Sequence, residues 1–316
     1  MKKVIVLLGP TGVGKTGASI LLAQELETEI ISADSMQIYC GMDIGTAKPS
    51  KSELSLVKHH MIDIVGPAES YSAGQFIDAV TGIIEGLHKK DRIPIVVGGT
   101  GLYIKAMTRG LFSAPSADRG LRDELLSLEE NSAGSLYEYL VRLDAETAAT
   151  IQENDIRRIV RAIEVCLKSR EKISLLRERL TSPLPYEFIK IGLTRERKEL
   201  YRIIDERVEK MFRAGFMEEA ETILGKSPGR TAMQAIGYKE LAMYMNNEID
   251  KDEAVRLIRR NTRRYAKRQF TWFKKEEDII WVDVTGIFDS TGVFHSVKDA
   301  LLQACPEIFS CNQSKI

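Results

Sequence analysis

The sequence predicts an α/β protein, a parallel β-sheet flanked by helices and interrupted by an all-α insertion, and three observations lead there. The first is Gly9-Pro10-Thr11-Gly12-Val13-Gly14-Lys15-Thr16, which matches the phosphate-binding pattern G-x-x-x-x-G-K-[ST]. It lies between the continuous apolar run Val4-Ile5-Val6-Leu7-Leu8, suited to a strand buried on both faces, and Ser19-Ile20-Leu21-Leu22-Ala23, apolar at helical spacing. The second is the recurrence of strand-length apolar runs at Thr28-Glu29-Ile30-Ile31-Ser32-Ala33, Ile93-Pro94-Ile95-Val96-Val97, Phe188-Ile189-Lys190-Ile191-Gly192-Leu193 and Ile279-Ile280-Trp281-Val282-Asp283. The third is a change of pattern from about Ala114 to the Ser182-Pro183-Leu184-Pro185 break, where strand signals vanish and charged helical ones take over. The expected organisation is a P-loop NTPase-like core over 1–113 and 186–316, ending in basic helices, with a helical domain inserted at 114–185.

In such a loop the glycines let successive backbone N–H groups converge on phosphate oxygens, and the following helix contributes the positive end of its dipole. Lys15 would neutralise phosphate charge, and the Thr16 hydroxyl could ligate Mg²⁺. The loop does not say whose phosphates it holds.

Composition narrows the classes. With 316 residues, 44% hydrophobic and 28% charged, the chain is long enough to bury a large core. Cys40, Cys166, Cys305 and Cys311 form no C-x-x-C pair and have no histidine at zinc spacing, as in a reduced, cytoplasmic protein. Met1-Lys2-Lys3 and the apolar run after it resemble a signal peptide, yet that run leads into the phosphate loop rather than a cleavage site. No stretch approaches the ~20 apolar residues of a membrane helix, so no membrane partner is expected. Nothing points to an obligate protein partner.

A formal net charge of zero conceals local asymmetry: residues 252–275 hold nine Lys or Arg against Asp252 and Glu253. There Val255, Ile258, Thr262, Ala266, Phe270 and Phe273 recur at helical steps, so one face packs while arginines flank it, a pattern suited to phosphate contact. The insertion carries a second basic stretch, Arg157, Arg158 and Arg161, followed by Lys168, Arg170, Lys172, Arg177 and Arg179.

In order along the chain, Asp34 ends the second strand and would face the same crevice as the phosphate loop, since ligands of doubly wound sheets bind beyond the carboxyl ends of the strands. A turn-capping aspartate would look the same. Gly41 to Pro49 is a glycine-punctuated loop able to reach a ligand. The pair His59-His60 is read as a turn contact rather than a metal site, because neighbouring side chains of extended backbone point apart. A helix is expected from about Ala73 to Lys90, on the stripe Phe76, Val80, Ile83, Ile84 and Leu87. The run at 93–97 ends in Gly98-Gly99-Thr100-Gly101, where a P-loop ATPase would place an acid for Mg²⁺; the glycines would instead clear space for something large. In the insertion, Leu121, Leu125, Leu126, Leu136, Tyr139, Leu140 and Leu143 are the expected core. The final six residues look frayed.

Taken together these motifs resemble the tRNA dimethylallyltransferases, also called tRNA isopentenyltransferases, over nearly the whole chain. The carriers are Gly9 to Thr16, Asp34-Ser35 through Tyr39, Gly45-Thr46-Ala47-Lys48-Pro49, His59-His60 with Ile62-Asp63, Gly98 to Tyr103, Asn154-Asp155 with Arg158 and Arg161, Gln234 to Lys239, and Thr262 to Phe273. One departure stands out: the family pattern Leu-Tyr-x-Arg-Ile-x-x-Arg meets isoleucine here, Ile203, at its first arginine position, and Arg197 is taken as the arginine that serves the diphosphate. The chain also lacks the C-terminal zinc finger of eukaryotic members.

The resemblance implies transfer of a dimethylallyl group from dimethylallyl diphosphate to N6 of adenosine 37, beside the anticodon. It implies Asp34 as general base, with Thr100, Lys15 and Arg197 also catalytic, and Gly9 to Thr16 holding the diphosphate with Mg²⁺ on Thr16. Contact with the tRNA anticodon stem-loop is then expected from Asp34, Ser35, Met36, Gln37, Thr100, Arg122, Arg157, Arg158, Ile159, Val160, Arg161, Gln234, Lys239, Arg263, Arg264, Lys267 and Arg268. The alternative from another enzyme class is a P-loop nucleotide or small-molecule kinase, against which stand the two basic helical regions and the missing acid. A non-catalytic GTPase-like switch would need the Asn-Lys-x-Asp guanine signal, which is absent.

Overall fold

The computed structural model describes residues 1–112 and 114–310. The chain forms two compact units, Met1–Lys105 with the chain from Pro185 onward, and Ala106–Leu184. The final six residues, Cys311 among them, read above as frayed, lie outside the described residues.

The first stretch of the chain contains β1 (Lys3–Leu8), α1 (Lys15–Glu25), β2 (Ile30–Ser32), α2 (Lys51–Leu56), β3 (His59–His60), α3 (Ala73–His88), β4 (Ile95–Gly98) and α4 (Gly101–Thr108). Five helices follow, α5 (Arg119–Asn131), α6 (Ser135–Leu143), α7 (Ala145–Ala149), α8 (Ile156–Ser169) and α9 (Ile173–Leu180). The remainder is β5 (Glu187–Thr194), α10 (Arg197–Arg213), α11 (Phe216–Gly225), α12 (Tyr238–Met245), α13 (Lys251–Phe273), β6 (Ile279–Asp283), α14 (Ser290–Ala304) and α15 (Glu307–Ser310).

All six strands run parallel, in the order β3-β2-β4-β1-β5-β6. Val4 to Leu8 of the central β1 are fully buried, which is why that strand reads as an unbroken apolar run. Ile5, Leu7 and Ile191 share a core with Leu22 of α1 and Val297 and Leu301 of α14. The register sets the strand ends level: Leu8 pairs with both Gly98 and Gly192, and Ser32 with Val97. The loops after β1, β2 and β4 therefore meet at one edge. At that edge Gly98 must be glycine, because a Cβ there would lie 2.2 Å from the Ala33 carbonyl oxygen.

The paired histidines form a two-residue edge strand rather than a turn, with Ile30 opposite His59 and Ile31 opposite His60. Their rings diverge: His60 Nε2 lies 2.6 Å from the Glu29 carboxylate, and His59 Nδ1 lies 2.8 Å from the Val57 carbonyl. Helix α2 had no periodic signal and is started by a capping box between Ser50 and Glu53. Helix α3 begins at a second box, Ser72 with Gln75, and stops at His88, two residues before the expected end.

In the unit Ala106–Leu184, Leu125, Leu136, Leu140, Ile159 and Ile163 form the core, with Leu121, Leu126, Tyr137 and Leu143 packed against it. Tyr139, expected in that core, is exposed instead, because the inward face of α6 carries Leu136, Tyr137, Leu140 and Leu143. The fully buried Glu164 carboxylate accepts from the Asp118 N–H at 2.6 Å, from Arg122 Nε at 2.9 Å and Nη2 at 2.7 Å, and from Arg161. Burial alone would raise its pKa, but Arg122, the Asp118 N–H and Arg161 outweigh burial and hold it down at about 2.

Since the folded pKa of Glu164 lies below its ordinary 4.5, its contribution is present above pH 4.5 and lost as pH falls through about 2. Glu164→Gln is expected to destabilise this unit by about 2–3 kcal/mol at neutral pH, the scale of hydrogen bonds to a charged group, and to flatten the acid limb of its stability. Hydrogen exchange of α8 amides at neutral pH checks the first, and between pH 4.5 and 2 the second. An unchanged acid limb would mean that another carboxylate governs it.

Candidate active site

The loop after β1 closes into the expected cradle. Gly14, at φ +111° in the left-handed region, turns the chain into α1 without strain. Lys15 Nζ donates to the Gly9 and Pro10 carbonyls, each at 2.8 Å, so its charge lies inside the loop. The Lys15 pKa is lowered to about 7, first by burial and then by the neighbouring Arg207 guanidinium, with Asp34 pulling the other way. Two cations held together in a half-buried cradle are a binding site for a polyanion, whose charge would relieve both.

A cavity of about 220 Å³ opens on this cradle, lined by Thr11, Gly12, Gly14, Lys15 and Thr16 and by Asp34 and Gln37 after β2. Its remaining walls include Thr46, Ala47, Pro49, His59, Gly98, Gly99, Arg207, Gln269 and Ser290. Asp34 accepts the Met36 N–H at 2.9 Å and the Gln37 N–H at 3.4 Å, both on Oδ1, which leaves Oδ2 for a substrate. Burial raises its pKa, with the two turn N–H groups and Lys15 opposing. The capping reading and the cavity reading of Asp34 are thus both realised by one side chain. Thr100 Oγ1 accepts the Ser35 N–H at 3.0 Å, bracing that turn, while the buried Tyr265 hydroxyl lies against it. Gln37 reaches the Thr46 and Ala47 carbonyls at 3.5 and 3.3 Å, and Met36 packs on an apolar cluster around Tyr39 and Tyr238.

The loop from Gly41 to Pro49 does form a cavity wall, and a carboxylate at a distance holds it. Glu219 accepts the N–H groups of Asp43, Ile44 and Gly45 at 2.9, 2.7 and 2.9 Å and the Tyr238 hydroxyl at 2.6 Å. Lys48 donates to the Tyr39 carbonyl at 2.7 Å and pairs with Asp43 and Asp63.

Several expectations need correction. Arg197 is exposed at the start of α10, bonded to the Tyr201 hydroxyl at 3.0 Å and stacked over that ring, and does not line the cavity. Arg207 does, and donates to Thr11 Oγ1 at 3.2 Å. It is the second arginine of the Leu-Tyr-x-Arg-Ile-x-x-Arg pattern, seven residues after Leu200 and hence on the helix face that packs inward, an arginine on an apolar face being the signal that was available. Ile203, on the same side, packs towards Gly12. The glycines after β4 do not clear open space: Cβ atoms on Gly98, Gly99 and Gly101 would strike Ala33, Gln269 and Trp272.

Of the residues expected to meet RNA, Gln234, Lys239, Arg264 and Arg268 line one shared depression with Asn261 and Glu240, and Lys267 is exposed on the same helix. Arg263 is instead spent on Asp205, in a two-pronged pair at 2.8 and 2.5 Å that ties α13 to α10. Arg256 and Arg259 pair likewise with Glu253 and Glu209. In the helical unit Arg157 and Arg158 are exposed, Arg158 beside Asp155 at 3.4 Å, whereas Arg122 and Arg161 are committed to Glu164. Ile159 and Val160 are core residues whose side chains offer nothing to a ligand. Among the described residues no group of three or more His, Cys, Asp or Glu could hold a metal, and no helix is long and apolar enough to cross a membrane.

A P-loop cradle, two half-buried cations and a carboxylate at one edge of a parallel sheet define an α/β enzyme acting on a phosphorylated substrate. The comparisons specify which. The IPP transferase family profile matches residues 37–276. The tRNA dimethylallyltransferase of Thermodesulfovibrio yellowstonii is 51% identical over 315 residues, 97% of this chain and 98% of that protein. The enzyme of the same name from Halothermothrix orenii is 44% identical over 89% of this chain and 87% of that one. Among solved structures, the tRNA isopentenylpyrophosphate transferase of Bacillus halodurans is similar with a TM-score of 0.70 and 37% identity, covering 96% of this chain and 98% of its own. A eukaryotic dimethylallyltransferase acting on tRNA gives a TM-score of 0.83 at 29% identity, covering 99% and 80%. The chain belongs to the tRNA dimethylallyltransferase family.

Arg207→Gln is expected to weaken binding of inorganic diphosphate by at least about tenfold, as for losing a buried charge-assisted contact, and Arg197→Ala to change it less than about twofold. Titration calorimetry separates the two, and the reverse ranking would restore Arg197.

Proposed function

We propose that this enzyme transfers the dimethylallyl group of dimethylallyl diphosphate to N6 of adenosine 37 beside the tRNA anticodon, releasing diphosphate. The observation that carries the reading is the meeting of Lys15, Arg207 and the loop N–H groups with the Asp34 carboxylate in one cavity. Diphosphate leaves with developing negative charge, which fixed cations and N–H dipoles stabilise without reorganising. The adenine amine is a weak nucleophile, its lone pair delocalised into the ring, and Asp34 accepts the N–H proton as the N–C bond forms and the C–O bond of the donor breaks. Burial favours that step by making the carboxylate more basic than an exposed aspartate. A stacked adenine could not enter a cavity at a sheet edge, so the base is flipped out of the anticodon loop.

Of the residues lining the loop, Thr16, through its hydroxyl, would hold Mg²⁺, an ion that typically takes few protein ligands and completes its shell with water and substrate phosphates. Bound with the donor, Mg²⁺ would neutralise the leaving diphosphate. The exposed Arg157 and Arg158, and the depression containing Gln234, Lys239, Arg264 and Arg268, are assigned to the anticodon stem-loop. A cytoplasmic location belongs to the same proposal, and no kinase reading is retained.

Incubation with tRNA and labelled dimethylallyl diphosphate, followed by digestion, is expected to yield N6-dimethylallyl adenosine, and label in any other nucleoside refutes the acceptor. Asp34→Asn is expected to bind both substrates yet transfer at least about 100-fold more slowly in a single turnover, the scale of a lost general base. A rate within threefold of the parent would confine Asp34 to its turn.

For RNA binding, Arg157→Ala or Arg158→Ala is expected to reduce the slope of log affinity for tRNA against log salt by about 0.7–0.9, one counterion each. Arg161→Ala is expected to lower thermal stability first, because it uncovers Glu164. An unchanged slope in the first two variants would remove them from the RNA interface.

A further inference from the structure

Helix α13 carries exposed Arg264, Lys267 and Arg268 on one face and buries Ala254, Ile258, Ala266, Gln269 and Phe273 on the other. Gln269 is the only polar side chain in that buried set, at an inward position where the spacing calls for an apolar residue. Burying an amide is costly unless both its ends are bonded. Here both are: Oε1 accepts the Thr11 N–H at 2.9 Å, and Nε2 donates to the Gly99 carbonyl at 2.9 Å. The approach to Gly99 is so close that a Cβ on residue 99 would lie 2.1 Å from Nε2. The amide thus spans the phosphate loop and the end of β4.

Each end leads to a reacting group. Thr11 belongs to the diphosphate cradle and also receives Arg207 on its hydroxyl. Gly99 precedes Thr100, whose hydroxyl holds the Ser35 N–H next to Asp34. We propose that Gln269 is a positioning residue that fixes the separation between the leaving-group cradle and the Asp34 carboxylate, both ends of its amide being spent on Thr11 and Gly99. The proposal rests on the reading of Asp34 as the base. Without the clamp both halves of the site persist, but their spacing is set by looser contacts, and displacements below an ångström suffice to slow a reaction that needs an aligned attack.

The test uses the full-length enzyme and two variants. Gln269→Leu removes both hydrogen bonds at similar volume, and is expected to lower the single-turnover rate at saturating tRNA and dimethylallyl diphosphate by at least about tenfold. Affinity for tRNA and for inorganic diphosphate should stay within about threefold of the parent, since Lys15, Arg207 and the exposed arginines remain. Gln269→Glu is the informative partner. Ionised, it keeps an acceptor for Thr11 but sets a carboxylate oxygen against the Gly99 carbonyl; protonated, it presents C=O to Thr11 and O–H to Gly99, reproducing the amide. Its rate relative to the parent at the same pH is therefore expected to rise as pH falls, and by more than the Gln269→Leu ratio does, since that variant adds no charge beside Asp34, Lys15 and the Tyr265 hydroxyl.

A Gln269→Leu rate within twofold of the parent, or a Gln269→Glu ratio flat with pH, overturns the proposal. So does a fall in melting temperature and in both affinities parallel to the rate, which would mark Gln269 as core packing only. Failure of the proposed function is read separately, as absence of dimethylallyl transfer by the parent. In that event Thr11 amide exchange decides the clamp: at least about tenfold faster exchange in Gln269→Leu supports it, and equal exchange in the two proteins removes it.

Discussion

The register of three parallel strands is the constraint on which the site depends. Leu8 opposite Gly98 and Ser32 opposite Val97 bring the ends of β1, β2 and β4 to the same level. Beyond those ends the Thr100 N–H donates to the Ala33 carbonyl at 3.2 Å, a Cβ on Gly99 would lie 3.5 Å from the Gly9 carbonyl oxygen, and Thr11, Asp34 and Gly99 line one cavity. A shift of one residue in β2 would reverse the direction of Asp34 and dissolve the arrangement. The close approach at Gly98 and the amide of Gln269 tighten what the backbone ladder sets.

Charge is distributed with a clear division of labour. At the cavity, Lys15 and Arg207 sit together and Asp34 is the one carboxylate among the described residues that line it, so the site favours an anion carrying several charges. Elsewhere cations are matched to acids: Arg263 with Asp205, Arg259 with Glu209, Arg122 and Arg161 with Glu164, Lys48 with Asp43 and Asp63. The pairs hold helices and loops, while the exposed Arg264, Lys267 and Arg268 of α13 and Arg157 and Arg158 of α8 remain at the surface. A basic stripe that looks uniform along the chain is therefore two populations, one structural and one facing solvent.

The helical unit illustrates the same economy in its interior. Glu164 lies on the buried face of α8 among Ile159, Val160, Ile163 and Val165, and the arginines that satisfy it come from α5 and from its own helix. A buried carboxylate needs its partners more than it rewards them, so these contacts specify how α5 and α8 meet rather than supply most of the stability. That role explains why Arg122 and Arg161, which resemble RNA contacts in a list of basic residues, turn inward.

Local chemistry made much of this legible in advance. The phosphate loop between an apolar strand and a helix, the parallel-strand runs, Asp34 at a strand end and the inserted helical stretch all depend on neighbours in sequence, where period and turn residues carry the information. Folding alone decided which arginine reaches the cavity, because Arg197 and Arg207 are both on α10, nearly three turns apart, and only Arg207 meets the loop after β1. It also decided that the glycines at 98, 99 and 101 admit Ala33, Gln269 and Trp272, that Glu219 holds a loop about 175 residues before it, and which arginines are paired. Those outcomes rest on contacts between residues far apart in the chain, whose partners no periodicity or motif names; only the packing of one element on another selects them.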